Sequence, residues 1–152
     1  MPAPLKRIAF VLFIGISSLL VTGIASCRKY KNGPWIAFHS KSDRVANLWV
    51  IDKYLEDGNN LTDVYFKTHT EFVWRFSKDG SFDIYGKIVN HPWSRSGEWK
   101  FIESKTSIEM LNQASDCTYV YRIMKLESNH LWLLQEDTAT QVKTMIRLKT
   151  KK

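Results

Sequence analysis

The residue types able to do chemistry are few and scattered. Cysteine occurs twice, as Cys27 and Cys117. Four histidines, His39, His69, His91 and His130, each stand apart from the others and from both cysteines. A zinc site needs convergent nitrogen and sulfur ligands, and closely spaced pairs are its usual mark. The spacing here predicts no metal site and leaves the histidines to surfaces and loops. Asp79 and Asp83 flank a turn. Glycoside hydrolysis needs two carboxylates facing each other across a substrate, and no such partner is placed for either. No nucleophile elbow, phosphate loop or dinucleotide fingerprint occurs. The expectation is a non-enzyme that uses no cofactor. Cys117, with no paired histidine signature, reads as a small buried apolar residue rather than a nucleophile.

Cys27 stands in a different context. Lys6 and Arg7 precede an almost purely apolar run of 14 residues, 8–21. Small residues then lead to Cys27. A positive start, an apolar centre and a small-residue end form a secretory leader. The apolar run is shorter than the roughly 18 residues a membrane-spanning helix needs. The tetrad Ile24-Ala25-Ser26-Cys27 resembles a bacterial lipobox. That resemblance implies a diacylglyceryl thioether on Cys27, cleavage before it, and palmitate-type acyl chains. Removing residues 1–26 of the 152 leaves a mature chain of 126. Each buried acyl CH₂ contributes about 0.8 kcal/mol, so two chains or more hold a protein on a membrane. Once Cys27 is lipidated, Cys117 has no internal disulfide partner, so the core alone must hold the domain.

The basic balance is local. The net charge is +7 and the pI near 9.4. Such a value invites a nucleic-acid reading. However, Lys6 and Arg7 leave with the leader, while Arg28, Lys29 and Lys31 adjoin the lipid. Near anionic headgroups each contributes about 1 kcal/mol. Five more cations close the chain from Lys143 onward. Between Asn32 and Val142 the 15 acidic residues outnumber 12 basic ones. The body is mildly acidic, and nucleic acid is not expected as a partner.

The elements that must position any site read as strands. Residues 28–43 form a polar tether broken at Gly33-Pro34, with Trp35, Ile36 and Phe38 inside it, and 40–47 predicts one short helical turn. From residue 47 the pattern has period two, with turn residues about every ten positions, which is an all-β signature. Strands are predicted over 47–56, 71–77, 81–89, 96–103, 107–111, 118–127, 130–136 and 141–149. Residues 61–70 hold a turn of helix anchored by Tyr65 and Phe66, and 90–95 a loop. Phe72, Trp74 and Phe76 share one face. Short connections between eight strands imply an antiparallel up-and-down meander, and eight strands suffice to close a small barrel.

Several residues in this order resemble the small lipocalin-like lipoproteins of Bacteroidetes-type bacteria. They are Trp49 in the first strand, Asp57-Gly58, Phe76 with Asp79-Gly80, Gly97-Glu98-Trp99-Lys100-Phe101, Tyr121-Arg122-Ile123 with Leu126, and Leu131-Trp132-Leu133. Chains of that family often carry Gly two residues before the first-strand Trp, where this one has Asn47. The resemblance implies a lipocalin-like β-barrel over 47–150, preceded by a signal peptide (1–26) and a lipid-anchored tether (27–46), in the cell envelope and without catalytic residues.

Two roles follow. In the first, the barrel binds a small hydrophobic ligand lined by Phe72, Trp74, Phe76, Phe82, Trp99, Phe101 and Tyr121. The same aromatics suit a filled core better than a ligand cavity, since each buries roughly 150–250 Å² and seven of them could fill so small an interior. In the second, the protein is an envelope accessory or inhibitor acting through protein contacts. Trp93, in the His-Pro-Trp segment, is then the candidate anchor; it equally suits a barrel cap. Asp137-Thr138-Ala139 resembles the O-glycosylation acceptor of exported Bacteroidetes proteins, with Thr138 as the acceptor and turn formation as the alternative. No acidic residue follows Cys27 before Asp43, unlike acidic surface-export signals. The expected location is the outer membrane, facing the periplasm. Cys27→Ser is expected to abolish membrane fractionation of the mature protein; persistence of a mature-sized protein in the membrane pellet would refute the lipid anchor.

Overall fold

The computed structural model describes residues 39–152. Cys27, Trp35, Ile36, Phe38 and the leader lie outside the described residues. Ser40 caps a short helix α1 (Lys41–Val45), its Oγ accepting from the Asp43 N–H at 3.0 Å. Strand β1 (Leu48–Glu56) follows, then β2 (Asn59–Asn60) and helix α2 (Thr62–Thr68). The remaining strands are β3 (His69–Phe76), β4 (Ser81–Ile88), β5 (His91–Ile102), β6 (Ser107–Asn112), β7 (Thr118–Leu126), β8 (His130–Glu136) and β9 (Lys143–Thr150).

Each long strand from β3 onward pairs antiparallel with the next, and β1 pairs with β3 on one edge and β9 on the other. The β1–β9 ladder runs from Trp49 opposite Thr150 to Glu56 opposite Thr144. Eight long strands therefore close on themselves, with the two-residue β2 as an appendage on β1. Up-and-down closure with eight strands is a lipocalin-like architecture. It removes the open sheet edges that would otherwise recruit other chains.

Tight turns set the register. Asp57 and Gly58 both take positive φ and join β1 to β2 in two residues, as hairpins of this length require. Gly80 (φ +91°) completes the β3–β4 turn, where Asp79 Oδ1 accepts from the Ser81 N–H at 2.9 Å. Those Ser81 hydrogen bonds hold the Asp79 carboxyl below the usual range. The β4–β5 link corrects the expected loop over 90–95. Val89 and Asn90 take φ of 48° and 65° and turn the chain in two residues, so His91 already pairs with Ile88. Pro92 is tolerated because this half of β5 pairs with β4 alone; β6 joins only from Gly97. Asn47 does not take positive φ. Its carbonyl accepts from the Phe76 N–H at 3.0 Å, a role that needs no glycine.

The core begins at the end that α1 covers. Trp49 is fully buried, and its indole N–H donates to the Val45 carbonyl at 2.9 Å. Arg44 is nearly buried, and Nη1 donates to the Leu126 carbonyl at 2.7 Å. These two bonds fasten α1 across the barrel end. Lys78 pairs with Asp43 at 2.6 Å and, with the Ser40 hydroxyl, holds that carboxyl down to about 2. Beneath the plug lie Phe76, Phe82, Ile108, Leu126, Leu131, Leu133 and Leu148, all almost wholly inaccessible. Each apolar side chain so buried contributes about 1.5–3 kcal/mol.

Cys117 also departs from expectation. It is exposed, in the loop between β6 and β7. Its carbonyl accepts from the Asn112 N–H as the ladder ends, so the side chain has no layer to enter.

Gly97 marks the tightest approach in the wall. A Cβ there would run into the Leu111 carbonyl and crowd the Phe82 ring. Gly97→Ala is therefore expected to lower unfolding stability by about 1–3 kcal/mol, read from urea midpoints. A Cβ on Gly58 meets open space, so Gly58→Ala is expected to cost only the positive-φ penalty of about 1 kcal/mol.

Candidate functional site

The barrel wall parts on one side. After Val50 pairs with Val73, β1 and β3 separate. β3 carries a bulge between Thr70 and Val73, where Glu71 takes φ of 59°. β1 carries another between Ile51 and Lys53. Helix α2 bridges the opening. The Leu61 N–H donates to the Tyr54 carbonyl at 2.9 Å, and the Tyr54 N–H donates to Thr62 Oγ1 at 3.0 Å. These bonds replace the ladder partners that β3 no longer supplies.

A groove of about 740 Å³ occupies this parting. Its residues come from both sides of the wall. Val50, Val73 and Tyr85 are successive cross-strand partners on the outer face. Ile51 and Phe72 belong to the core, and Trp93 packs against it. Phe66 reaches in from α2, and Lys87 and Lys151 stand at the rim. Gly86 makes room here: a Cβ would collide with the Phe72 ring. Lys87 pairs with Glu71 at 2.6 Å.

Behind the groove the interior is aromatic. Tyr65 stacks between Tyr54 (4.6 Å) and His69 (4.1 Å). Phe72 lies 5.4 Å from Trp93 and 6.3 Å from Tyr65. Trp74 meets Tyr121 edge-on at 6.1 Å. Arg95 shares the inward face of β5 with Trp93, Gly97 and Trp99. Its guanidinium sits 4.2 Å from the Tyr119 ring and 5.1 Å from the Trp93 ring.

The seven aromatics read from the sequence are brought together as one wall. Phe72, Trp74, Phe76, Phe82, Trp99 and Tyr121 are buried in a single cluster, with Phe101 packed against it. Edge-on contacts link Phe76 to Trp99 at 5.6 Å and Trp99 to Phe101 at 5.4 Å. Only Phe72 of the seven borders the groove. Trp93 is not at a loop tip. It lies in β5, half-buried between Phe72 and Arg95, because the turn before it is only two residues long. Thr138 is exposed in the β8–β9 turn, where Asp137 Oδ1 accepts from the N–H groups of Ala139 (2.8 Å) and Thr140 (3.0 Å). Those bonds hold the Asp137 carboxyl below its usual range.

Sequence reading missed Arg95 and the stacking of His69 on Tyr65. Arg95 fell inside the presumed loop; continuing the β5 alternation back from Trp99 through Gly97 would have turned it inward. His69 looked like a surface residue, but four positions from Tyr65 it stacks at the end of α2. Among the described residues no group of three or more His, Cys, Asp or Glu side chains is placed to hold a metal ion.

No family model matches the chain, and no curated protein matches it either. Solved structures do. Bovine odorant-binding protein in complex with a selenium-containing odorant is 14% identical, covering 77% of this chain and 76% of that one at a TM-score of 0.46. Odorant-binding protein from bovine nasal mucosa is 12% identical over 77% of both chains, at the same TM-score. The bovine protein complexed with its natural ligand is 15% identical over the same shares, again at 0.46. The present barrel rests on its own ladders: it is an all-β, eight-stranded, closed antiparallel meander of lipocalin-like form.

Burial raises the Tyr121 hydroxyl to about 12; Arg95 opposes the shift, and Tyr119 and Tyr54 add to it. Burial likewise raises Tyr65, helped by Tyr54 and Tyr121. In the unfolded chain a tyrosine titrates near 10. The folded state therefore retains the proton longer, and this stabilisation is fully present below about pH 10. It is lost as pH rises through the folded value near 12. Urea midpoints should fall across that window, and Tyr121→Phe should flatten the fall. An unchanged slope in the variant would show that Tyr121 does not control it.

Proposed function

We propose that this chain is a lipid-anchored lipocalin-like lipoprotein of the bacterial cell envelope that binds a small hydrophobic ligand and does no catalysis. One observation carries the binding role: the 740 Å³ groove at the β1–β3 parting, where Phe72 and Trp93 join the outer opening to the aromatic interior. Pockets for small molecules run to roughly 300–1,000 Å³ and are mostly apolar with a few polar groups. The anchor and outer-membrane location, facing the periplasm, rest on the leader and on Ile24-Ala25-Ser26-Cys27. Domain limits of 1–26, 27–46 and 47–150 belong to the same reading.

The alternative, a filled barrel acting through protein contacts, draws on the burial of six of the seven aromatics. Trp93 supports it less than a loop tip would, since its ring is committed to Phe72 and Arg95. On the outer face, Trp132 is flanked by Arg147 at 4.2 Å and Lys125 at 5.0 Å. Titration with the neutral fluorophore phenylnaphthylamine separates the readings. Saturable one-to-one binding in about the micromolar range, quenching tryptophan emission, is expected. Phe66→Asp places a charge in the groove from an exposed helix position and should weaken binding about tenfold. No saturable binding to the folded protein would favour the filled barrel.

A further inference from the structure

The interior behind the groove holds polar groups that the core leaves without acceptors. Trp74 is 5% exposed, yet its indole N–H has no hydrogen-bond partner. Buried N–H donors are rarely left so, and each case needs an explanation. Tyr121 is also 5% exposed and stands edge-on to Trp74. No hydrogen bond is made by its hydroxyl among the described residues. Arg95 is the third group. Its five donors make no hydrogen bond or ion pair among the described residues, and only the rings of Tyr119 and Trp93 face its charge. Lys87 at the groove rim differs, since Glu71 already neutralises it.

A half-buried guanidinium normally finds a carboxylate or phosphate, because its planar fork matches two oxygens at once. Ring faces compensate part of its lost hydration but accept no strong hydrogen bonds. Arg95, Tyr121 and Trp74 therefore present donors from three strands, β5, β7 and β3, into one barrel. Among the described residues no carboxylate pairs with Arg95 there. Trp93 lies between Arg95 and Phe72, and Phe72 borders the groove. Arg95, Tyr121 and Trp74 do not line the groove themselves, so an apolar body held at the parting reaches them only past the rings of Phe72 and Trp93.

We propose that the ligand is a small organic anion, an aromatic or acyl carboxylate or sulfonate, whose apolar body packs on Phe72 and Trp93 and whose acidic end accepts from Arg95, Tyr121 and the Trp74 indole. This specificity rests on the hydrophobic-ligand reading above and names the ligand's charge within it. In the groove Glu71 already neutralises Lys87 and Lys151 is solvent-exposed, so the selection is assigned to the interior cation.

The test compares two probes of one scaffold on the folded protein. Anilinonaphthalene sulfonate carries the acid, and phenylnaphthylamine lacks it. The sulfonate is expected to bind about tenfold tighter or more, the range that a charge-assisted, water-excluded pair supports. Arg95→Gln should erase that preference, read as the ratio of the two probes' affinities in the same variant. Tyr121→Phe removes one donor without a cavity and should reduce the preference partway. Near-UV circular dichroism on each variant confirms that the aromatic interior persists. Equal affinity for both probes in the native protein, or an unchanged preference in Arg95→Gln, would overturn the anion assignment while leaving hydrophobic binding standing. Failure of both probes to bind would instead remove the ligand-binding reading, and the anion assignment with it.

Discussion

Everything in this barrel depends on the antiparallel ladder between β1 and β9. That pairing joins the first long strand to the last, from Trp49 opposite Thr150 to Glu56 opposite Thr144. Without it the sheet would keep two open edges, and the inward aromatics would face solvent on one side. With it, strand number fixes the circumference, and the circumference fixes how much side chain the interior can take. An eight-stranded barrel is barely wide enough for its own side chains. Large aromatics on β3, β4, β5 and β7 then become a space-filling problem as much as a chemical resource.

The two ends solve that problem differently. At the α1 end, Trp49, Phe82, Ile108, Leu126, Leu131 and Leu148 interlock with almost no accessible surface. The plug is fastened by hydrogen bonds from Trp49 and Arg44, so no donor there needs a ligand beyond the Arg44 Nε. Toward α2 the residues are only partly buried: Tyr54, Tyr65, Ile88, Trp93 and Tyr119. Closure by β9 uses one edge of β1 fully. The other edge is shared between β3, over Leu48–Val50, and the short β2, over Leu55 and Glu56. The parting between them follows from two bulges that re-aim β1 and β3. Bulges of this kind cluster at barrel rims and binding sites.

Much of this was legible from alternation alone. Phe72-Val73-Trp74-Arg75-Phe76 declared its inward face, and Asp57-Gly58 and Asp79-Gly80 declared their turns through residues that accept positive φ. The β4–β5 turn was not legible, because Val89 is a poor turn former. Its positive φ is imposed by pairing on both flanks, where Ile88 meets His91 and Lys87 meets Pro92. His91-Pro92 then looked like the loop, and the error hid Arg95. The groove was illegible for a related reason. It arises from where pairing stops, and period-two pattern reports faces, not the extent of a ladder. Cys117 misled through composition: cysteine is commonly buried, but this one falls one residue before β7.

Local consistency fails at a specific place. Around α1, propensity, capping and hydrogen bonding agree except at the buried Arg44 Nε. Around Arg95 they do not, because a strand position reserved for the interior carries a cation among rings, in a barrel whose Trp74 N–H also has no acceptor. Sequences that fold well satisfy buried donors, and their exceptions concentrate where function requires a group to await a partner. Replacing Arg95 by an apolar residue would suit the core as well or better, since a half-buried charge without an anion gains little from its position. The well-packed end supplies stability that can support such a cost at the other. On this reasoning the two halves are one design: the filled end fixes the geometry of strands β3, β5 and β7, and that geometry holds Trp74, Arg95 and Tyr121 facing into the same barrel.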